Sequence, residues 1–142
     1  VATPRGPCRG QDGRRLAVVA SHPDRTLGIY AVPLRDSGAT ERDLLPLVED
    51  RGWLWSPRWS ADGSRLYYLS NRDGFVCVWM QRVDRASGRP LGEPVVALHC
   101  HRPGRVMLGP ISAWNIALAG DRLVFNATEV HGNAWAARLE PR

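Results

Sequence analysis

The sequence predicts an all-β chain built from repeated four-stranded antiparallel units, and three observations carry that prediction. The first is an internal repeat. Asp12-Gly13-Arg14-Arg15-Leu16-Ala17-Val18-Val19-Ala20, Asp62-Gly63-Ser64-Arg65-Leu66-Tyr67-Tyr68-Leu69-Ser70 and Gly120-Asp121-Arg122-Leu123-Val124-Phe125-Asn126-Ala127 align on a shared Arg-Leu step. The second is the pair of Asp-Gly turns between strand-like runs, Asp12-Gly13 and Asp62-Gly63. Asp-Gly is a strong hairpin signal because a type I′ turn needs positive φ at both central residues. The third is that residues 16–19 and 66–69 are apolar at every position. A strand with one solvated face alternates, whereas a strand lying between two stacked sheets is apolar on both sides.

The elements follow in order. In the first repeat the strand from Leu16 is followed by Ile29-Tyr30-Ala31-Val32 and then by a strand from Leu44 to Val48. A short helical stretch around Thr40 to Leu47 competes with the latter. In the second repeat Leu66 to Leu69 leads through a turn at Asn71-Arg72-Asp73-Gly74 into Val76 to Val83, and a fourth strand runs from Pro94 to His99. In the third, Asn133 to Leu139 is the counterpart of Val76 to Val83. Leu16 to Leu66 is 50 residues and Leu66 to Leu123 is 57, yet the aromatic landmarks Tyr30, Trp79 and Trp135 follow their leucines by 14, 13 and 12. A steady offset inside a variable repeat puts the variation in connecting loops. The chain reads as a single unit, 1–142, with repeats at about 4–50, 51–103 and 104–142.

Composition narrows the function classes. The 142 residues are 44% hydrophobic and 23% charged with 14 Gly and 11 Pro, which describes a turn-rich chain with a real core. No run approaches the ~18 apolar residues of a membrane helix. The formal charge is +5, and all 19 basic residues are Arg. They are scattered and often beside an acid, as in Asp50-Arg51, Arg72-Asp73 and Asp84-Arg85, so no basic stripe for nucleic acid is formed. Three cysteines, Cys8, Cys77 and Cys100, make neither a disulfide framework nor a Cys-x-x-Cys pair.

Four antiparallel strands repeated every ~40–50 residues is the sequence form of a β-propeller blade. The stretch Trp55-Ser56-Pro57-Arg58-Trp59-Ser60-Ala61-Asp62-Gly63, continuing through Leu66-Tyr67-Tyr68-Leu69-Ser70-Asn71-Arg72-Asp73-Gly74 to Val78-Trp79, resembles the TolB-type WD-like propeller repeat. The first and third repeats are eroded, with Arg9 and Ile116 where Trp59 stands. The resemblance implies about three four-stranded blades of a partial or open propeller, the C-terminal part of a larger ring in a bacterial protein. It also implies an extracytoplasmic, periplasmic setting, and either further blades upstream or self-association to cover open blade faces.

Catalytic signatures are sparse. Gly-x-Ser-x-Gly, the phosphate-binding loop, Gly-x-Gly-x-x-Gly and His-Glu-x-x-His are all missing from the sequence. The segment is therefore read as non-catalytic, without a cofactor. His99-Cys100-His101 is the one ligand-rich cluster. In an extended segment His99 and His101 share a side and Cys100 takes the other, so two imidazoles could meet at a metal completed by His22, His131 or a carboxylate. Zinc sites need three or four protein ligands and no second spaced pair exists, so the preferred reading is an inter-blade loop without metal. Trp53, Trp55 and Trp59, at odd-numbered positions two and four apart, would share one strand face as an aromatic wall. Trp59, Trp79 and Trp135 read as packing residues, and Trp53 and Trp55 as binding candidates.

The function that follows is a propeller scaffold whose loops at Ser21 to Leu27, Asn71 to Phe75 and Thr128 to Asn133 contact a protein or peptide partner, with neither nucleic acid nor membrane insertion. Trp53, Trp55, Arg72, Asp73 and His131 are the candidate contact residues. The resemblance points to a TolB-like envelope or sensor protein. The alternative it offers is the propeller domain of a larger enzyme, a prolyl-oligopeptidase-like peptidase or a Ser/Thr kinase, with catalysis elsewhere.

Overall fold

The computed structural model describes residues 8–10, 13–21, 26–101, 105–107, 115–120, 122–129 and 132. The chain is all-β and antiparallel. A first sheet takes β1 (Cys8–Arg9), β2 (Arg15–Ser21), β3 (Leu27–Pro33) and β4 (Leu45–Asp50) in chain order. A second takes β5 (Leu54–Trp59), β6 (Arg65–Ser70), β7 (Cys77–Val83) and β8 (Pro90–Leu98) in the same order. β9 (Arg105–Val106) pairs with β12 (Thr128–Glu129), and β10 (Ile116–Ala119) forms a hairpin with β11 (Arg122–Phe125). No closed ring of sheets is formed among the described residues. The expected strand Asn133 to Leu139, with Trp135, lies outside them.

The uniformly apolar strands are explained by where their two faces go. Leu66 and Tyr68 of β6 point into a core shared with the first sheet, against Ala17, Ile29, Ala31, Leu47 and Val48. Tyr67 and Leu69, on the opposite face, pack with Val78, Cys100, Met107 and Ile116, beneath the β10–β11 hairpin residues Leu123 and Phe125. The second sheet is therefore covered on both sides, as the repeat pattern requires. Tyr68 is wholly buried, and that burial drives its phenol well above the ordinary value, partly offset by the positive charge of Arg72.

Two local expectations are corrected. The Asp62-Gly63 loop is not a type I′ turn, because Gly63 has φ 71° while Asp62 is not left-handed. Instead Gly63 N–H donates to Ser60 O and Ser60 N–H to Arg65 O, closing a longer loop around a β-turn whose exit glycine alone is left-handed. The Asp62 carboxylate accepts from Ser60 Oγ, Ser64 Oγ and Ser64 N–H at 2.7, 2.7 and 3.1 Å, holding its pKa far below the usual carboxylate range. The first repeat copies the backbone pattern, with Gly13 N–H to Gly10 O and Gly10 N–H to Arg15 O. The second correction is at Thr40 to Leu47, where helix is confined to one 3-10 turn at Glu41–Asp43. Thr40 N–H and Oγ1 both donate to Asp43 Oδ2, and Pro46 then biases Leu45 to extended backbone, where β4 begins.

β5 is interrupted at the Ser-Pro step. Its register with β6 shifts between Trp55 and Arg58, and Ser56 is the one non-glycine with positive φ, 49°, among the described residues. The bulge turns Ser56 Oγ toward the third hairpin, where it donates to Asn115 Oδ1 at 2.7 Å and accepts Ile116 N–H at 3.2 Å. Arg58 reaches the same Asn115 oxygen at 2.9 Å.

Candidate functional site

The residues with chemistry gather at one end of the second sheet, where three chain segments meet. The first is the β4–β5 connection at 51–53, the second the β6–β7 turn at 71–76, and the third the exit of β8 at 99–101. Trp53 N–H donates to Asn71 Oδ1 at 2.7 Å, stitching the first two together. Gly52 lies so close to the turn that a Cβ there would come within 3.2 Å of the Arg72 backbone. Arg72 crosses back to the first sheet: its Nε lies 3.1 Å from Asp50 Oδ2, and its guanidinium carbon stands 4.9 Å from the centre of the Trp79 ring. Asp50 also accepts Gly52 N–H at 3.0 Å, so the turn is tied down from both sides.

The three aromatic residues expected to share one face do not. Trp59 is buried in the core between the four-stranded sheets, Trp55 packs into the opposite core under the hairpin, and Trp53 precedes β5 with 53% of its surface exposed. The Ser56 bulge inserts a residue between Trp55 and Trp59, and this breaks the alternation on which the shared face depended. Phe75, at the tip of the neighbouring turn, is the other exposed aromatic among the described residues, at 56%. Its ring lies 4.3 Å from the ring of His101.

The same end holds a sulfur and two imidazoles. In the register of β7 with β8, Val78 opposes Leu98, so the residues just outside that pair, Cys77 and His99, become neighbours. Cys77 Sγ lies 3.7 Å from His99 Nδ1 and 3.3 Å from His101 Nδ1. Cys100, between the two histidines, faces the other way into the core beneath the hairpin, as alternation requires. Asp73 stands beside the cluster, with Oδ2 4.0 Å from His99 Nδ1 and Oδ1 accepting Phe75 N–H at 3.3 Å. The sulfur is buried, whereas His99 is more than half exposed.

Burial pushes the Cys77 thiol up, with the Asp73 charge adding to it, while backbone hydrogen bonds from Cys100 and His101 pull the other way. Cys100 is also raised, again chiefly by burial, and both cysteines are free. These thiols stay protonated at neutral pH and are poor nucleophiles.

Of the sequence-stated candidates, Trp53, Arg72 and Asp73 meet at this end together with His99 and His101. Trp55 turns away into a core, and His131 lies outside the described residues, as does His22. The participant that the sequence reading missed is Cys77, while Phe75 entered it only as the end of the Asn71 to Phe75 loop. Cys77 was findable in principle from antiparallel pairing of the Val76 to Val83 and Pro94 to His99 strands, which sets the start of one against the end of the other. No helix among the described residues is long and apolar enough to cross a membrane. In comparisons with protein-family models and with curated proteins, nothing matches this chain.

Proposed function

We propose that the chain is a non-catalytic scaffold of β-propeller type that binds a protein or peptide through the sheet end formed by 51–53, 71–76 and 99–101. The observation that carries this reading is the exposure of Trp53 and Phe75 on short loops tied to a rigid two-sheet body. Exposed aromatics on well-anchored loops are typical anchors of recognition, because they bring large contact area at little entropic cost. The propeller reading is supported by two consecutive four-stranded meanders in identical strand order, stacked face to face, with a third hairpin covering the far side of the second. The TolB-type resemblance of residues 55–79 supports an envelope or sensor setting outside the cytoplasm, with more blades upstream or a second copy covering the open faces.

The test is to select peptides by display against the purified chain and to measure their affinity for variants. The double variant Trp53→Ala, Phe75→Ala is expected to bind at least about tenfold more weakly, the loss of one aromatic anchor. The control pair Leu91→Ala, Val95→Ala, on exposed positions of β8, is expected to bind as the parent does. Equal affinity in the aromatic double variant, or equal loss in the control, overturns the reading. A structure of the complete gene product tests the ring.

A further inference from the structure

Three donor atoms of the kinds that ligate zinc converge at the start of β7 and the exit of β8. With Zn–S of about 2.3 Å and Zn–N of about 2.0–2.1 Å, tetrahedral angles put a sulfur and a nitrogen ligand about 3.6 Å apart. The observed separations from Cys77 Sγ, 3.7 Å to His99 Nδ1 and 3.3 Å to His101 Nδ1, bracket that value. The ligand atoms of all three residues lie within 4.8 Å of one another. We propose that Cys77, His99 and His101 together bind one Zn²⁺ ion, with the fourth position open toward solvent beside Asp73.

The placement suits a metal better than a hydrogen-bonded pair. A thiol can donate to one flanking imidazole and accept from the other only through weak sulfur hydrogen bonds, whereas a single cation binds the sulfur and both nitrogens together. Binding releases the thiol proton to solvent, leaving a thiolate and two neutral imidazoles on the ion. With the nearby Asp73 carboxylate, the two negative charges then balance Zn²⁺. The sulfur sits on a strand paired on both sides, with Cys77 opposite Ser70 of β6 and the adjacent Val78 opposite Leu98 of β8, so it is held in place before the ion arrives. The exposed His99 edge gives the ion its way in, and the Phe75 ring packs against the ring of His101. An open fourth position at a binding surface can accept water or a carboxylate, histidine or cysteine from a partner.

The experiment titrates Zn²⁺ into the reduced chain in competition with a chromophoric chelator, and repeats the titration with Co²⁺ to read the thiolate-to-metal charge-transfer absorption. One ion per chain is expected, with the charge-transfer band lost in Cys77→Ala. Affinity should fall at least tenfold in His99→Ala and in His101→Ala, and stay unchanged in Cys100→Ala. Because Cys77 is buried, its variant is read beside a circular dichroism spectrum. Should it unfold, the exposed His99→Ala carries the test alone. Absence of saturation at micromolar Zn²⁺ in the folded parent overturns the proposal, as does binding indifferent to His99→Ala and His101→Ala.

Discussion

Replacing Ser56 by alanine and by glycine separates two effects that the bulge in β5 combines. The hydroxyl accepts the buried Ile116 N–H and donates to Asn115, so either substitution strands a backbone donor between the second sheet and the third hairpin. An unpaired buried N–H costs about 1–3 kcal/mol, and Asn115 keeps its bond from Arg58, so the alanine variant should lose about 2 kcal/mol. Glycine loses the same hydrogen bonds but relieves the left-handed backbone, where φ is 49°. A residue with a side chain in that region is worth about 1 kcal/mol less than glycine, so the glycine variant should lose only about 1 kcal/mol. At an ordinary strand position the order is the reverse, with glycine the weaker by roughly 0.5–1 kcal/mol. Urea unfolding followed by tryptophan fluorescence reads the difference directly. With a slope of about 2 kcal/mol per molar, the alanine variant should shift the midpoint by about 1 M and the glycine variant by half that. A glycine variant less stable than the alanine variant refutes the argument, because the left-handed backbone at Ser56 would then exert no strain.

Four more outcomes follow from the same contacts. Leu66→Ala, in the core between the four-stranded sheets, is expected to lose about 2–5 kcal/mol in urea unfolding, and Val124→Ala, 57% exposed, less than about 0.5 kcal/mol. Stability should decline as pH falls below about 4, since Asp62, Asp43 and Asp84 have acidities strengthened by hydrogen bonds from Ser60, Thr40 and Ser87. A folded-state pKa below the unfolded one means the unfolded chain takes up more protons, so the contribution is complete above the unfolded value and vanishes through the folded one; Asp62→Asn should flatten the acid limb of a pH titration of stability. Arg72→Ala leaves the Asp50 carboxylate, whose side chain is only 10% exposed, with the Gly52 N–H and the Ser70 hydroxyl as donors but no cation, and should cost about 1.5–3 kcal/mol in chemical denaturation. Free Zn²⁺ at a hundred times its dissociation constant should raise parent stability by about 2.7 kcal/mol in thermal melts, and that of His99→Ala by no more than about 1.4 kcal/mol, as a tenfold weaker site requires.

Much of the architecture was legible because it is written in local patterns. The runs 16–19 and 66–69 announce strands covered on both faces; both are central strands of meanders, and 66–69 is covered on both sides, whereas within 16–19 only Ala17 is buried. Strand ends were less legible: β8 begins at Pro90 rather than Pro94, since its bulges opposite Met80 to Arg82 let it run further. There Gln81, buried, fills the irregular stretch by donating to Arg82 O and Gly92 O, a contact no periodicity announces. The aromatic wall failed for a related reason. Alternation assumes an unbroken strand, and Ser56-Pro57 breaks it through one left-handed residue that the sequence marks only by the proline behind it. The site was half legible. His99 and His101 were correctly set apart from Cys100 by period two, but Cys77 enters through cross-strand register, which the bulges of β7–β8 determine.

In each four-stranded sheet every strand pairs with the next in the chain, and this has a kinetic meaning. Such pairing closes short loops only, so a sheet can zip from one hairpin without awaiting distant segments, whereas docking of the one four-stranded sheet on the other is a long-range event. The two sheets should therefore behave as neighbouring cooperative units, each opening largely by itself, in the manner of a one-dimensional array. In amide exchange the pairs β2–β3 and β6–β7 would then report separate opening free energies, and the coupling between them would be a direct reading of the stacked interface built by Ala17, Ile29, Leu66 and Tyr68.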